Sequence, residues 1–282
     1  MQVVSSPQEL AEICAEWHKQ GQKIALVPTM GYCHAGHEAL MSRGREQADR
    51  LVVSIFVNPS QFGPNEDLSR YPRDMERDLA IASAHGADLV FTPEASDMFP
   101  EGYATWVELS GMAGTLCGLS RPVHFRGVCT VVLKLFLLTM ADFAFFGEKD
   151  WQQQAILRRM AKDLNLSVKV EACPTVREAD GLALSSRNVY LSDDERKQAP
   201  GIRRALLSAR DKVQRGEKNA SMLVNAVLDD WKESMPNAVP DYVSVVDPET
   251  LAPVEQLDGP ALMACAVKLG NARLIDNILL KN

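Results

Sequence analysis

A chain of 282 residues with a net charge of −7 is too long for one small domain and suits one large domain plus a smaller one. Its 46% apolar and 24% charged residues are ordinary globular usage, enough to bury a full core without disulfides or a structural metal. The acidic balance excludes a general nucleic-acid surface, which needs clustered Lys and Arg, so an anionic substrate has to be held by a local basic pocket.

In chain order, the opening MQVVSSPQEL lacks the basic stretch and apolar run of a secretory leader, which makes the cytoplasm the expected compartment. KIALVP at 23–28 reads as a short strand, followed by a glycine-bearing turn and by HEALMSRGREQADR, whose Ala39, Leu40 and Ala48 suit a helix. The pattern returns at LVVSIFVNP, at DMERDLAIASAHG leading into ADLVFTP, at GVCTVVLKLFLLTM leading into DFAFFG, and at DWQQQAILRRMAKDLN leading into SVKVEAC. Continuously apolar strands alternating with helices predict a parallel sheet covered on both faces. The longest apolar run, 128–141, carries Lys134 and is too short to span a bilayer. After Pro174 the texture changes to helices near 192–215 and 220–235, then shorter strands at DYVSVVD, ALMACAVKL and RLIDNILL. The expected division is an α/β unit over 1–175 and a smaller α+β unit over 176–282. Six cysteines (Cys14, Cys33, Cys117, Cys129, Cys173, Cys265) without a CxxC pair argue against a zinc site or a disulfide framework.

Five segments carry chemistry. PTMGYCHAGHEAL places His34, Gly36 and His37 just after the first apolar strand. Residues three apart share a helix face, so both imidazoles can point to one spot. The positive helix N-terminus and Gly36 let a phosphate approach the main chain. Alone, two such histidines are as often incidental; the strand, Gly-turn, helix setting favours a nucleotide-phosphate site. FVNPSQFGPNEDLSRYPRD sets Asn58 and Gln61 at a strand's carboxyl end, where open parallel sheets bind ligands. Their amides both donate and accept, although by itself Asn-Pro is an ordinary turn. FFGEKDWQQ offers Lys149, a mobile ammonium suited to phosphate oxygens, with Gln153 one turn on and Gly147 beside it. VREADGLALSSRNVYLS brings Ser185, Ser186 and Arg187; the guanidinium can fork onto phosphate oxygens, while Ser-Ser-Arg alone is equally a phosphorylation site or a helix cap. In RPVHFRGV, Arg121 lines a carboxylate site or braces a loop, and His124 and Arg126 read as bracing.

In this order and spacing the five segments resemble the pantothenate synthetase family, also called pantoate–β-alanine ligase, from Lys23 to at least Leu191. The HxGH element is shared with the wider nucleotidyltransferases, whereas PTMG, FVNPSQFG, FGEKDWQQ and READGLALSSRN together are specific. The resemblance implies a Rossmann-like ATP-binding domain, a smaller C-terminal lid and a homodimer. It implies that Met30, Gly31, His34 and His37 belong to an ATP segment completed by Gly147, Glu148, Lys149, Asp150, Val176, Leu184, Ser185, Ser186 and Arg187. Gln61 and Gln153 would bind pantoate, Gln61 also lying near β-alanine, with Asn58 and Arg121 as further substrate contacts. His34, His37, Lys149 and Arg187 would be the catalytic charges. Leu184, Trp151, Val123 and the pair Tyr32-Cys33 stand where the family commonly has Met, Tyr, Gly and Ala-Leu; these departures bear on affinity more than on reaction type.

The implied reaction is adenylation of pantoate by ATP with release of pyrophosphate, then attack of β-alanine and release of AMP. Mg²⁺ would ride on the ATP phosphates and needs no protein ligand, and no nucleophile motif is required. The rival readings are another HxGH nucleotidyltransferase acting on a phosphorylated small molecule, and a nucleotide-binding regulator that has lost turnover.

Overall fold

The computed structural model of the chain describes residues 1–281. Strands β1 (Gln2–Val4), β2 (Ile24–Thr29), β3 (Arg50–Ile55), β4 (Leu89–Phe91), β5 (Phe143–Gly147) and β6 (Lys169–Cys173) form a six-stranded sheet in the order β1-β4-β3-β2-β5-β6, every pairing parallel. The central strands β2, β3, β4 and β5 are largely apolar and buried because both faces are covered, whereas the edge strands β1 and β6 are partly exposed. In β2, Ile24 and Leu26 enter one core while Ala25 and Val27 enter the other, the period-two alternation of a strand.

The covering helices are α1 (Pro7–Lys19), α2 (Ala35–Gln47), α3 (Met75–Ala84), the short α4 (Ala95–Met98) and α5 (Cys117–Ser120), α6 (His124–Thr139) and α7 (Trp151–Asp163). Apolar side chains of α1, α6 and α7 fill one core, and those of α2 and α3 the other. From β2 the sheet grows to β3 and β4, and the chain then returns to lay β5 on the opposite side of β2. Strand order therefore reverses at the β2–β5 pair, and a crevice opens there at the carboxyl ends.

Beyond β6 come α8 (Asp193–Gln198), α9 (Gly201–Gln214), α10 (Ala220–Ser234) and an antiparallel sheet of β7 (Ala238–Val246), β8 (Ala261–Leu269) and β9 (Ala272–Leu280), in that order. Leu206, Trp231 and Met263 are buried in the core that α9, α10 and this sheet share. Among the described residues no helix is long and apolar enough to cross a membrane.

Three elements differ from expectation. The single helix expected over 192–215 is two, because Pro200 has no N–H to continue the ladder, and α9 restarts at Gly201. Strand β1 and helix α1 were not anticipated. The helix does carry a signal: Ser6 caps it by accepting from Glu9 N at 3.3 Å, and Leu10, Ile13, Cys14 and Trp17 pack inward at helical spacing.

The start of α6 is pressed against the turn that follows β3. A Cβ on Gly127 would lie 2.4 Å from Ser60 O and 2.6 Å from Gln61 N, both backbone atoms, while the Gly127 carbonyl accepts from Asn58 Nδ2 at 3.2 Å. Gly127→Ala should therefore cost about 1–3 kcal/mol of stability through overpacking and displace Gln61. Urea denaturation and a crystal structure of the variant check both; unchanged stability with Gln61 in place would mean that the turn yields freely.

Candidate active site

The site begins with the turn between β2 and α2. Thr29 Oγ1 donates to Ser54 O at 2.8 Å and accepts from Gly31 N at 3.1 Å. Gly31 (φ 78°) and Tyr32 (φ 51°) are both left-handed, and a side chain at Gly31 would meet Asp78 Oδ2 at 2.7 Å. In a tight turn of this kind successive backbone N–H groups can point inward as an anion-binding concavity. Asp78 of α3, 1% exposed, fills it: Tyr32 N and Cys33 N donate to its two oxygens at 2.7 and 2.6 Å. Arg77 lies 5.5 Å over the Tyr32 ring, so consecutive residues of α3 clamp the turn from two sides. Asp78 was missed in the sequence; its signal is a carboxylate four residues before Ala82 on the inward stripe of α3.

This clamp delivers the two histidines. His34 is the N-cap of α2, and its Nδ1 accepts from Gly36 N at 3.1 Å. His37 Nδ1 accepts from His34 N at 3.3 Å, and the ring centroids are 4.2 Å apart. With both Nδ1 atoms accepting, each neutral ring carries its proton on Nε2. Each Nε2–H is the donor left for the chamber that both rings line.

That chamber has a volume of about 180 Å³. From the end of β5 it receives Gly147, Lys149 and Asp150, and from the chain before α8 it receives Ser185, Ser186 and Arg187. Lys149 Nζ is 3.6 Å from Asp150 Oδ2. Arg187 is forked onto Asp67, with Nε and Nη2 donating at 2.8 and 2.9 Å. The opposite wall is apolar, with Phe56, Val128, Val131, Val132, Leu135 and Phe146.

Gln61, Gln153 and Met30 line both this chamber and an adjoining cavity of about 410 Å³ that runs between the parallel sheet and the antiparallel one. Gln61 is 7% exposed; its Oε1 accepts from Asn58 Nδ2 at 3.0 Å and its Nε2 donates to Met30 Sδ at 3.1 Å. Asn58 is spent within the turn, since its Oδ1 also accepts from Ser60 N and Oγ at 3.2 and 2.8 Å. Gln153 lines the mouth from α7. Arg121 lines the larger cavity, with Nε donating to Glu66 at 2.9 Å, and His124 Nδ1 donates to Gln61 O at 3.0 Å.

Four expected residues stand behind the chamber wall. Gly31 forms the turn, and Glu148 O and Lys149 O accept from Asn277 Nδ2 of β9 at 2.8 and 3.1 Å. Val176 O accepts from Leu184 N at 3.0 Å, a backbone bond that sets the course of the segment entering Ser185. Asn277 was also missed; a polar pair, Asp276 and Asn277, inside the apolar run of β9 is its trace.

Burial holds the site's imidazoles neutral. His34 is pushed down from 6.5 to about 4 by desolvation and then by the charge of Lys149. His37 lies well below 6.5 through desolvation, then His34 and Lys149, and His124 is pushed down to about 3 by desolvation and then Arg121. For a histidine whose folded pKa is lowered, the unfolded chain binds more protons across the interval. Its stability contribution is therefore complete above about 6.5 and is lost as pH falls towards the folded value. Lowering the pH from about 7 to about 5 should reduce the unfolding free energy by up to about 1.4 kcal/mol per unit per histidine. His124→Gln should flatten the slope. A urea midpoint that does not change over that range contradicts the assignment.

The comparisons with known proteins agree with this geometry. A family model described as pantoate-beta-alanine ligase matches residues 2–279. The chain is 63% identical over 280 residues to the pantothenate synthetase of Desulfovibrio desulfuricans and 58% identical to that of Nitratidesulfovibrio vulgaris, with 99% of each chain covered in both cases. Among solved structures, pantothenate synthetase from Thermus thermophilus superposes with a TM-score of 0.94 at 45% identity, covering 100% of both chains. A pantoate-beta-alanine ligase from Francisella tularensis, complexed with beta-gamma ATP and beta-alanine, superposes with a TM-score of 0.79 at 33% identity, covering 99% of this chain and 97% of the other. A parallel sheet with its reversal at β2–β5, an HxGH helix start and full-length similarity at this level have one common explanation: the chain belongs to the pantoate-beta-alanine ligase family.

Proposed function

We propose that the cleft joins pantoate to β-alanine at the expense of ATP, holding a pantoyl-adenylate between two half-reactions. The observation that carries this reading is the convergence of two Nε2–H donors, Lys149, Arg187 and the amino end of α2 on one small chamber. In the first half-reaction the pantoate carboxylate attacks the α-phosphorus and pyrophosphate leaves. Charge gathers on phosphate oxygens, and donors fixed beforehand stabilise it without reorganising. Neutral imidazoles suit this role, because a protonated pair 4.2 Å apart would repel.

Gln61 and Gln153, which line both cavities, would take the carboxylate and hydroxyl groups of pantoate, and the apolar wall from Phe56 to Phe146 suits its branched aliphatic carbon. Asn58 would act by holding the side chain of Gln61 and His124 by holding its backbone carbonyl. In the second half-reaction the neutral amine of β-alanine attacks the acyl carbon, a C–N bond forms, and AMP leaves with the former carboxylate oxygen. The Francisella tularensis relative, with beta-gamma ATP and beta-alanine in one complex, supports both as ligands of one cleft.

Mg²⁺ enters this reading on the phosphates. Among the described residues no group of three or more His, Cys, Asp or Glu is placed to hold a metal, and Asp150 is the carboxylate in the phosphate chamber. That set fits an ion held mainly by phosphate oxygens and water, whose charge would offset that of the polyphosphate. Residues 176–282 would act as the lid over residues 1–175, the enzyme working as a cytoplasmic homodimer. The nucleotidyltransferase alternative does not fit the family match over residues 2–279.

Incubation with ATP, Mg²⁺, pantoate and β-alanine should yield pantothenate and AMP by mass spectrometry; absence of an amide product would refute the reading. His37→Ala should leave the fold intact and slow adenylate formation by about a hundred- to a thousandfold. Gln61→Ala should raise the KM for pantoate and slow the β-alanine step while calorimetry with a non-reactive ATP analogue changes little. An equal loss of analogue binding would reassign Gln61 to the nucleotide.

A further inference from the structure

Arg187 has three donor nitrogens, and two are committed. Nε and Nη2 donate to the two oxygens of Asp67 at 2.8 and 2.9 Å, a side-on fork that fixes the guanidinium plane. The ring of Tyr71 lies 5.5 Å from the guanidinium carbon, and Ser185 Oγ accepts from Arg187 N at 3.3 Å, so plane, face and backbone are each held. Among the described residues Nη1 donates to none.

The cavities separate the two edges of this group. Arg187 lines both the larger cavity and the small chamber with His34, His37 and Lys149, whereas Asp67 lines the larger one alone. Asp67 thus reaches Arg187 from the side away from the histidines and leaves the chamber side open. The loop that carries it is itself tied across the cleft, as Tyr190 Oη donates to Arg70 O at 2.9 Å. The Arg187 fork also holds the Asp67 carboxyl below its ordinary value against the opposing effect of burial, so the pair stays ionised at neutral pH.

We propose that Asp67 is a positioning residue for adenylation: its carboxylate holds Nε and Nη2 so that Nη1 is aimed at the phosphates. This rests on the reading of Arg187 as a phosphate ligand. The proposal has a sign that simple charge does not. A carboxylate beside a polyphosphate repels it, so as a bystander Asp67 would weaken ATP binding and its removal would help. As a positioning residue its removal lets the guanidinium wander, and turnover falls.

The test measures pyrophosphate release with ATP and pantoate alone, calorimetry with a non-hydrolysable ATP analogue, and circular dichroism for the fold, in Asp67→Asn, Arg187→Ala and the double variant. Asp67→Asn should lower kcat of the first half-reaction by about tenfold to a hundredfold, with analogue affinity changed far less. In the Arg187→Ala background it should have no further effect. Wild-type turnover with tightened analogue binding, or losses that multiply in the double variant, would overturn the proposal. Full turnover in folded Arg187→Ala would instead remove the phosphate role of Arg187. A slow Arg187→Ala beside an unimpaired Asp67→Asn would refute the positioning role alone. Should Asp67→Asn not fold, Asp67→Ser carries the same expectation and the same refutation.

Discussion

Once β5 is laid beside β2 on the side opposite β3, the loops that follow β2 and β5 must diverge, one towards each face of the sheet, and a gap opens between them. Everything chemical in this chain is arranged about that gap. The β2 loop ends in the capped start of α2 and contributes His34 and His37; the β5 loop contributes Lys149; the β3 loop, next door, contributes Gln61. Three strand ends in adjacent positions thus supply the imidazole donors, the ammonium and the amide of the chamber.

The electrostatics follow from which anions are supplied internally. The strained turn at Gly31 and Tyr32 would be a ready anion site, but the Asp78 carboxylate occupies it. That removes one candidate position for a phosphate and leaves the next one along, where α2 begins. Both histidines then spend Nδ1 on backbone N–H groups, which fixes the tautomer, while burial prevents a second proton from binding. A chain of net charge −7 in this way keeps a small chamber of donors. Asp78 lies beneath the turn and Asp67 behind Arg187, while Asp150 lines the chamber.

The alternation of strands and helices, the parallel sheet and the motif segments were legible because they depend on local pattern: apolar runs, glycine turns and polar groups at strand ends. Elements set by distant partners were not. Strand β1 is three residues long and exists through its pairing with β4. Asp78 lies 45 residues from Cys33, and Asn277 lies 128 residues from Lys149, so nothing nearby in sequence marks either as part of the site. Arg121 shows the same limit from the other direction. The sequence left it open between carboxylate ligand and brace, and the structure places it on the wall of the larger cavity while pairing it with Glu66. Pro200 is visible in the sequence, yet a helical pattern that continues on both sides of it masks the break.

The contacts between the two sheets are uneven, and this bears on the proposed closure. At one end Leu116 and Ala155 from the parallel-sheet side share an apolar cluster with Val246, Leu251, Leu262 and Ala264, and the indole of Trp151 donates to Pro248 O at 2.8 Å. Over the small chamber the contacts are polar: Arg187 on Asp67, Tyr190 on Arg70, and Ser186 Oγ donating to Tyr32 O at 3.4 Å. An apolar cluster loses its transfer free energy when parted, whereas polar partners, the largely buried Arg187–Asp67 pair included, regain water on opening, which offsets much of what they lose. The cheaper end to open is therefore the one above the chamber. Trp151, which by the resemblance stands where Tyr is common, belongs to the other end, so that departure would act on the anchor of the proposed closure.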